Sequence, residues 1–372
     1  MSWDPDKPYN ALAALPPRAE VDTKRILRAT IEARAAVAAL DQAAHRIPNP
    51  SVLINAIPLL EAQASSEIEN IVTTTDELFR YAQADDTGAS AATKETLRYR
   101  AALFAGLESI KSRPLSTTTA IEVCSMIHRR DMTLRRLPGT KIANPMTKKA
   151  VYTPPFGGTV IADLLDNWEQ FLHSDHAVDP LVAMAIAHYQ FEAIHPFDDG
   201  NGRTGRILNV LYLVDAGLLR LPILYLSRYI IRNKDDYYRL LLAVTSDAAW
   251  EAWILFVLEG VRQTTLGTLA KIDAVHAAQA EVKEGIRNAT SAGPNSDLLD
   301  VLFEHPYCRI SNVMARCAVS RPTATNWLNA LVAAGTLVDV RIGRERLFLN
   351  TRFIDALERE ERIDSAAEPT LF

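Results

Sequence analysis

From residue 26 to residue 275, apolar residues recur at the three-to-four spacing of a helix, separated by short polar turns. Ile26–Leu40 is alanine-rich on this pattern; Pro48 and Pro50 end it, and Ser51 is a good cap for a helix carrying Leu53, Ile57 and Leu60. Further helices are expected at Glu77–Tyr81, Lys94–Ile110, Ser116–His128, Val160–His173, Pro180–Ile194, Lys234–Val244 and Trp250–Val275. Arg203–Ala216 is strongly apolar and is closed by Gly217. Ala84–Ala92 is a polar, small-residue loop. One stretch differs: Gly139, Asn144, Pro145 and Pro154–Pro155 punctuate Ala150-Val151-Tyr152, which predicts a small hairpin between helices. A chain patterned this way folds as a mainly α protein.

Residues 276–296 are polar and end in SAGPNS, which reads as a linker. Beyond it, Asp297–His305, Ile310–Cys317 and Ser320–Ala334 are helical in pattern, with Ser320 as cap and Gly335 as stop. Leu337–Arg341 and Arg346–Asn350 alternate like strands around the turn Ile342-Gly343-Arg344-Glu345. Three helices followed by a hairpin is the winged helix-turn-helix pattern, and Asp364–Phe372 reads as a loose tail. The 372 residues suffice for two or three domains.

A net charge of −5 argues against a general nucleic-acid coat. Cys124, Cys308 and Cys317 form no C-x-x-C pair and read as reduced thiols. MSWDPDKPYN lacks the basic and apolar regions of a signal peptide, and no apolar run approaches the roughly 20 residues of a membrane span. The expected location is cytoplasmic, with no membrane partner.

The segment HPFDDGNGRTGR, residues 195–206, concentrates the chemistry. Gly200 and Gly202 flank Asn201 just before a helix, where backbone N–H groups and the helix terminus favour an anion. Arg203 and Arg206 share a face of that helix's first turn, against its dipole, which suggests that they hold something negative such as phosphates. Asp199 beside this cradle suits Mg²⁺, which uses one or two protein carboxylates; Asp198 would serve on chemistry alone. His195 titrates near neutrality and can accept a proton from a hydroxyl. Taken singly, each is ordinarily a turn, a solvated pair or a structural histidine. Their coincidence in twelve residues points to phosphate binding.

This stretch resembles the defining motif of the Fic family, H-x-F-x-[DE]-G-N-G-R-x-x-R, with His195, Phe197, Asp199, Gly200, Asn201, Gly202, Arg203 and Arg206 at every specified position. The resemblance implies an all-α core carrying the motif between two helices, preceded by a β-hairpin flap, here Lys141–Pro155, that aligns the target side chain. It divides the chain into a helical N-terminal region (1–99), a catalytic domain (100–275), a linker (276–296), a winged-helix domain (297–352) and a tail (353–372). It implies a protein adenylyltransferase acting on ATP with Mg²⁺: His195 as general base, Asp199 on the metal, and Phe197 as an anchor. Asn201 and Gly202 would form the anion hole, Arg203 and Arg206 would hold the β- and γ-phosphates, and Thr204 and Gly205 complete the nucleotide-binding set. Asn233, Tyr237 and Tyr238, in the segment after the motif helix, are the nucleoside-pocket candidates. Death-on-curing relatives that phosphorylate have a disrupted glycine loop, whereas both glycines are intact here.

Upstream, ASSEIEN (residues 64–70) is by chemistry alone a capping serine with glutamates in a helix's first turn. Beside a Fic motif it matches the inhibitory pattern [ST]-x-x-x-E-[GN] at Ser65, Glu69 and Asn70, a class II arrangement in which Glu69 would pair with Arg206 and block productive ATP. In some relatives this glutamate supports removal of AMP. The implied partners are a protein substrate, self-modification included, and a homodimer mate. Two alternatives stay open: transfer of another phosphate-containing group, and a nucleotide-sensing winged-helix regulator. The second rests on Arg321, Arg341, Arg344 and Arg346, set against Asp297, Asp300, Glu304, Asp339 and Glu345.

Overall fold

The computed structural model describes residues 3–47, 49–82, 88–143, 147–174, 178–293, 295–342 and 345–359. Two compact units emerge: Met1–His45 with Ile57–Thr265, and Arg46–Ala56 with Leu266–Phe372. In chain order the elements begin with α1 (Lys24–Arg46), α2 (Ser51–Ile68), α3 (Thr75–Tyr81), α4 (Ala91–Ile110) and α5 (Thr117–His128). A two-stranded hairpin follows, β1 (Ile142–Ala143) and β2 (Ala150–Tyr152). Then come α6 (Gly158–His173), α7 (Pro180–Ile194), α8 (Asn201–Asp215), α9 (Leu226–Arg232), α10 (Lys234–Asp247) and α11 (Trp250–Ala289).

The first unit is built around α7 and α8, which pack on each other. Helix α7 is apolar on every face and is almost wholly buried, as a central helix must be. Its start is set by Asp179, whose carboxylate accepts the Leu181 N–H at 2.9 Å, with Pro180 at the first helical position. Two buried tryptophans donate their indole N–H groups to α7 carbonyls, Trp168 to Ala187 and Trp253 to Ala185. Gly106 lets α4 approach α8, since a Cβ there would lie 2.5 Å from Leu211 Cδ1. The hairpin forms where expected, with Ile142 opposite Tyr152; Asn144 and Pro145 at its tip lie outside the described residues. The polar loop 84–92 is described only from Gly88 onward, and Ser90 caps α4.

The second unit contains α12 (Ser296–Glu304), β3 (Tyr307–Cys308), α13 (Ile310–Cys317), α14 (Arg321–Ala333), β4 (Val338–Ile342), β5 (Glu345–Leu349) and α15 (Thr351–Glu358). The strands form an antiparallel sheet ordered β3-β5-β4, with Val338 opposite Leu349 and Ile342 opposite Glu345. Gly343 and Arg344, in the expected turn, lie outside the described residues.

Two expected boundaries are corrected. Residues 276–289 of the expected linker are helical, continuing α11 to Ala289. Their polar composition masks a stripe of Val275, Ala278, Val282 and Ile286, all buried at helical spacing. The expected tail begins too early: Phe353, Ala356 and Leu357 are the buried face of α15, capped by the Asn350 side chain. The segment 364–372 lies outside the described residues. Among the described residues, no helix is long and apolar enough to cross a membrane.

Candidate active site

The turn between α7 and α8 carries the motif. His195 caps α7 in the left-handed region (φ +51°), its N–H donating to the Phe191 carbonyl at 3.0 Å. The fully buried Phe197 anchors the turn. The Asn201 side chain grips Phe197 at both backbone groups: Oδ1 accepts its N–H and Nδ2 donates to its carbonyl, each at 2.8 Å. Both polar atoms of the Asn201 side chain are thus committed to the turn, and what it has to offer an anion is its backbone. Gly200 opens α8 at φ +83°, and a Cβ there would lie 2.4 Å from His128 Nε2. No side chain caps α8, so its first N–H groups have no side-chain acceptor, an arrangement that suits an anion.

Arg135 secures this turn from below, and nothing in the sequence marks it. It is 3% exposed, and its guanidinium donates to the carbonyls of His195 at 2.7 Å, Ile194 at 3.1 Å and Pro155. It thus joins the end of α7 to the strand that leaves the hairpin.

Arg206 is buried and fully engaged. Nε donates to Ser65 Oγ at 2.8 Å, and Nη2 donates to the Ser65 carbonyl at 3.0 Å and to Glu69 Oε1 at 2.8 Å. Burial works against the Arg206 charge, but Glu69 outweighs it and pushes the pKa up. Burial likewise opposes the Glu69 charge, but Arg206, then Arg203 and Lys234, hold its carboxyl below the usual range. The ASSEIEN segment is the last turn of α2, not the first turn of a helix as local chemistry suggested. Glu69 there opposes the helix dipole, and Arg206 compensates. Asn70 adopts φ +62°, a conformation asparagine tolerates, and ends the helix. Lys234 Nζ donates to the Ile68 carbonyl at 2.6 Å, capping the same turn.

Helix α2 is pinned deeper by Glu61, whose carboxylate accepts from the Ser227 N–H at 3.0 Å, from the Ser227 hydroxyl, and from Tyr99 Oη at 3.2 Å. Burial raises its pKa. Arg203 is also buried and pairs with Glu95 of α4 at 2.5 Å. Both motif arginines thus have carboxylate partners.

A cavity of about 240 Å³ opens on this site. His195, Gly202, Arg206, Glu69, Tyr237 and Tyr238 line it, together with hairpin residues Ile142, Val151 and Tyr152. Leu241, Leu242 and Tyr189 add apolar surface to its lining, and Thr245 adds a hydroxyl-bearing side chain. Burial and then the Arg135 charge push the His195 pKa down to about 4, so its imidazole is neutral at pH 7 and able to accept a proton. Glu192, one turn before His195, also lines the cavity, and burial raises its carboxyl to about 7. Sequence reasoning missed it.

Other expected residues sit differently. Asn233 does not line the cavity; it separates α9 from α10 and donates its amide to the Tyr229 carbonyl at 2.9 Å. Tyr237 contributes a ring face, since its hydroxyl lies 2.9 Å from the buried His188 Nε2. Thr204 is buried inside α8. Gly205 faces α7, where a Cβ would meet Glu192 Oε1 at 2.5 Å. Gly202 faces the cavity, and a Cβ there would lie 2.6 Å from Glu69 Oε1.

Asp199 is exposed; Oδ1 accepts the Gly200 N–H at 2.6 Å, and Oδ2 lies 4.0 Å from His128 Nδ1. Among the described residues, no cluster of three metal-ligating side chains exists. A single outward carboxylate suits a Mg²⁺ that arrives on phosphates and keeps its waters, rather than a resident ion.

Residues 120–213 match the family model described as Fic/DOC family, and residues 27–108 match its Fic/DOC N-terminal model. Residues 279–353 match the C-terminal domain of SoFic-like protein adenylyltransferases. A probable protein adenylyltransferase of Aquifex aeolicus (strain VF5) is 39% identical over 84 residues, 23% of each chain. The protein adenylyltransferase Fic of Drosophila virilis is 43% identical over 68 residues, 18% of this chain and 14% of that one. The chain therefore matches less than a quarter of the length of these curated relatives. Among solved structures, a Fic family protein from Desulfovibrio desulfuricans G20 shares the fold with a TM-score of 0.54 and 21% identity, covering 90% of this chain and 98% of that one. Fic-1 from C. elegans gives 0.51 at 19% identity, covering 67% and 72%. With the full motif on the α7–α8 turn, its His195, Gly202 and Arg206 on one cavity, and three consecutive segments matched, this chain belongs to the Fic/DOC family.

Proposed function

We propose that the chain is a protein adenylyltransferase that moves AMP from magnesium-bound ATP to a protein hydroxyl and that Glu69 holds it in an inhibited state. The observation carrying this reading is that a neutral His195, a phosphate-type anchor Arg206 and the carboxylate occupying that anchor meet on one cavity. The same lining carries apolar and aromatic side chains, Leu241, Leu242, Tyr189 and Tyr238, which suits a nucleoside and favours nucleotidyl over simple phosphoryl transfer.

In the reaction, a target hydroxyl would bond to the α-phosphorus of ATP. Its proton passes to the free nitrogen pair of the His195 imidazole, the α–β bridging bond breaks, and pyrophosphate leaves. The uncapped start of α8 and Arg206 stabilise charge on the phosphates, with Arg203 joining once it leaves Glu95. Asp199 is the residue that would hold Mg²⁺, which supplies charge neutralisation on the phosphates. With Glu69 on Arg206, the γ-phosphate loses its anchor and the α-phosphorus is misplaced for in-line attack.

The C-terminal unit is read as a winged helix, with α14 in the recognition position. Three of its arginines have local carboxylate partners: Arg346 with Asp339, Arg309 with Glu345, and Arg316 with Asp300. That pattern favours a protein-docking role over DNA. Cytoplasmic location belongs to the same proposal.

Intact-mass measurement after incubating Glu69→Gly protein with Mg-ATP tests the reaction. Added AMP supports it; an added phosphoryl group converts the reading to a kinase, and no adduct on self or on lysate proteins rejects it.

A further inference from the structure

The hairpin forms one wall of the cavity, yet β1 and β2 are two and three residues long. Two such strands do not hold themselves in place. Besides Arg135 on Pro155 and the Tyr152 hydroxyl on Ala193, support comes from residues 3–15, which precede α1 and lie outside every matched family model.

This segment runs along the base of the hairpin. The Tyr9 N–H donates to the Thr153 carbonyl at 3.0 Å, and Thr153 Oγ1 donates to the Pro5 carbonyl at 2.6 Å. The Asn10 side chain bridges Phe156 at both backbone groups: Oδ1 accepts the N–H at 2.7 Å and Nδ2 donates to the carbonyl at 3.0 Å. The Tyr9 ring meets the Tyr152 ring edge-on with centroids 6.4 Å apart. Tyr152 in turn lines the cavity and donates its hydroxyl to the Ala193 carbonyl at 2.9 Å.

The far end of the segment is tied to the helical core. Asn167 of α6 brackets Leu15, accepting its N–H at 2.7 Å and donating to its carbonyl at 3.0 Å. Gln190 of α7 donates to the Ala13 carbonyl at 2.9 Å. Leu12 and Leu15 are buried between these ties. The bonds reach from hairpin to α6 and α7 through a segment that has no regular structure of its own.

We propose that residues 3–15 are a strap that sets the position of the hairpin and so the nucleoside wall of the cavity; Tyr9 and Asn10 are its positioning residues. The inference rests on the nucleotide-binding reading of the cavity. The strap bears on the hairpin side of the cavity; α8 and Arg206 have ties of their own through Asn201 and Ser65, and Arg135 is the link between the two at Pro155 and His195.

The test uses the full chain in the Glu69→Gly background, comparing the parent with Tyr9→Ala/Asn10→Ala and with Asn167→Ala, which cuts the other end. Hydrogen exchange without ligand should accelerate at residues 150–156 in both variants and stay unchanged in α8. Affinity for Mg-ATP should fall on the order of tenfold, while affinity for magnesium inorganic triphosphate stays within about twofold. Unchanged exchange at 150–156 overturns the strap, whatever the nucleotide does. Equal losses for ATP and triphosphate overturn it as well, since they would mark general loosening. A parent that binds triphosphate but gains nothing from the nucleoside defeats the cavity reading instead, and the exchange result still decides the strap.

Discussion

The Glu69 carboxylate sits over Gly202 and accepts the Arg206 hydrogen bond at 2.8 Å, in the space that a side chain at 202 would fill. The absence of a side chain at 202 makes room for the Glu69 carboxylate. On the proposed function, an anion from solution would compete with Glu69 for this place.

Replacing Glu69 with glycine should therefore free Arg206 and raise AMP transfer by at least about tenfold at saturating Mg-ATP. Quantifying label from ATP radiolabelled at the α-phosphate reads this directly. Equal rates in the two proteins would remove the inhibitory role. His195→Ala in the same background should abolish transfer while nucleotide affinity, measured by calorimetry, is kept.

Lys234 holds the turn that carries Glu69 through its bond to the Ile68 carbonyl. Lys234→Met should raise transfer several-fold, on the scale of about 1 kcal/mol for one lost charged hydrogen bond. The same change in Glu69→Gly protein should leave the rate unaltered. A decrease in both backgrounds would assign Lys234 to nucleotide binding instead.

Arg135 joins the His195 turn to the hairpin through three carbonyls. Arg135→Ala leaves these buried acceptors without a donor and should lower unfolding free energy by about 2–4 kcal/mol. Urea denaturation measures the loss, and Arg135→Lys should recover only part of it.

The depressed His195 pKa, about 4, has a definite sign. The imidazole is already in its base form well below neutrality, so in Glu69→Gly/Glu192→Gln protein, which lacks the cavity carboxyl that titrates near 7, kcat/KM should be flat from about pH 6 to about pH 8 and fall only as pH drops toward 4. The folded state binds this proton less readily than the unfolded chain. His195 therefore withdraws stability as pH falls below its ordinary value and through its folded one. A rate that rises steeply between about pH 6 and 7 would contradict the assignment of His195 as a base freed by burial.

Local patterns located the helices, the hairpin and the motif loop, because helical periodicity and glycine placement are written within a few residues. They failed where meaning depends on what packs alongside. ASSEIEN reads as a helix start by its serine and glutamates, yet it is the end of α2, kept there by Arg206 from 137 residues away in sequence. The expectation that Asn201 belongs to an anion hole did not reveal that both of its side-chain polar atoms bond Phe197. The polar surface of 276–289 hid the buried stripe that makes it helix. Arg135 and Glu192 carried no signal, since an isolated arginine in a turn and a glutamate in a helix are ordinary until burial singles them out.

Glu61 has a consequence for timing. Its buried carboxylate ties α2 to Tyr99 and to the start of α9, so the helix cannot peel away to release Arg206 without exposing that network. What is free to move is the Glu69 side chain, and rotamer changes of half-exposed side chains take picoseconds to nanoseconds. On the proposed inhibition by Glu69, the inhibited and open forms would exchange faster than turnover. On mixing with nucleotide the enzyme should reach its steady rate without a lag, and its output should track the momentary ATP level rather than its history.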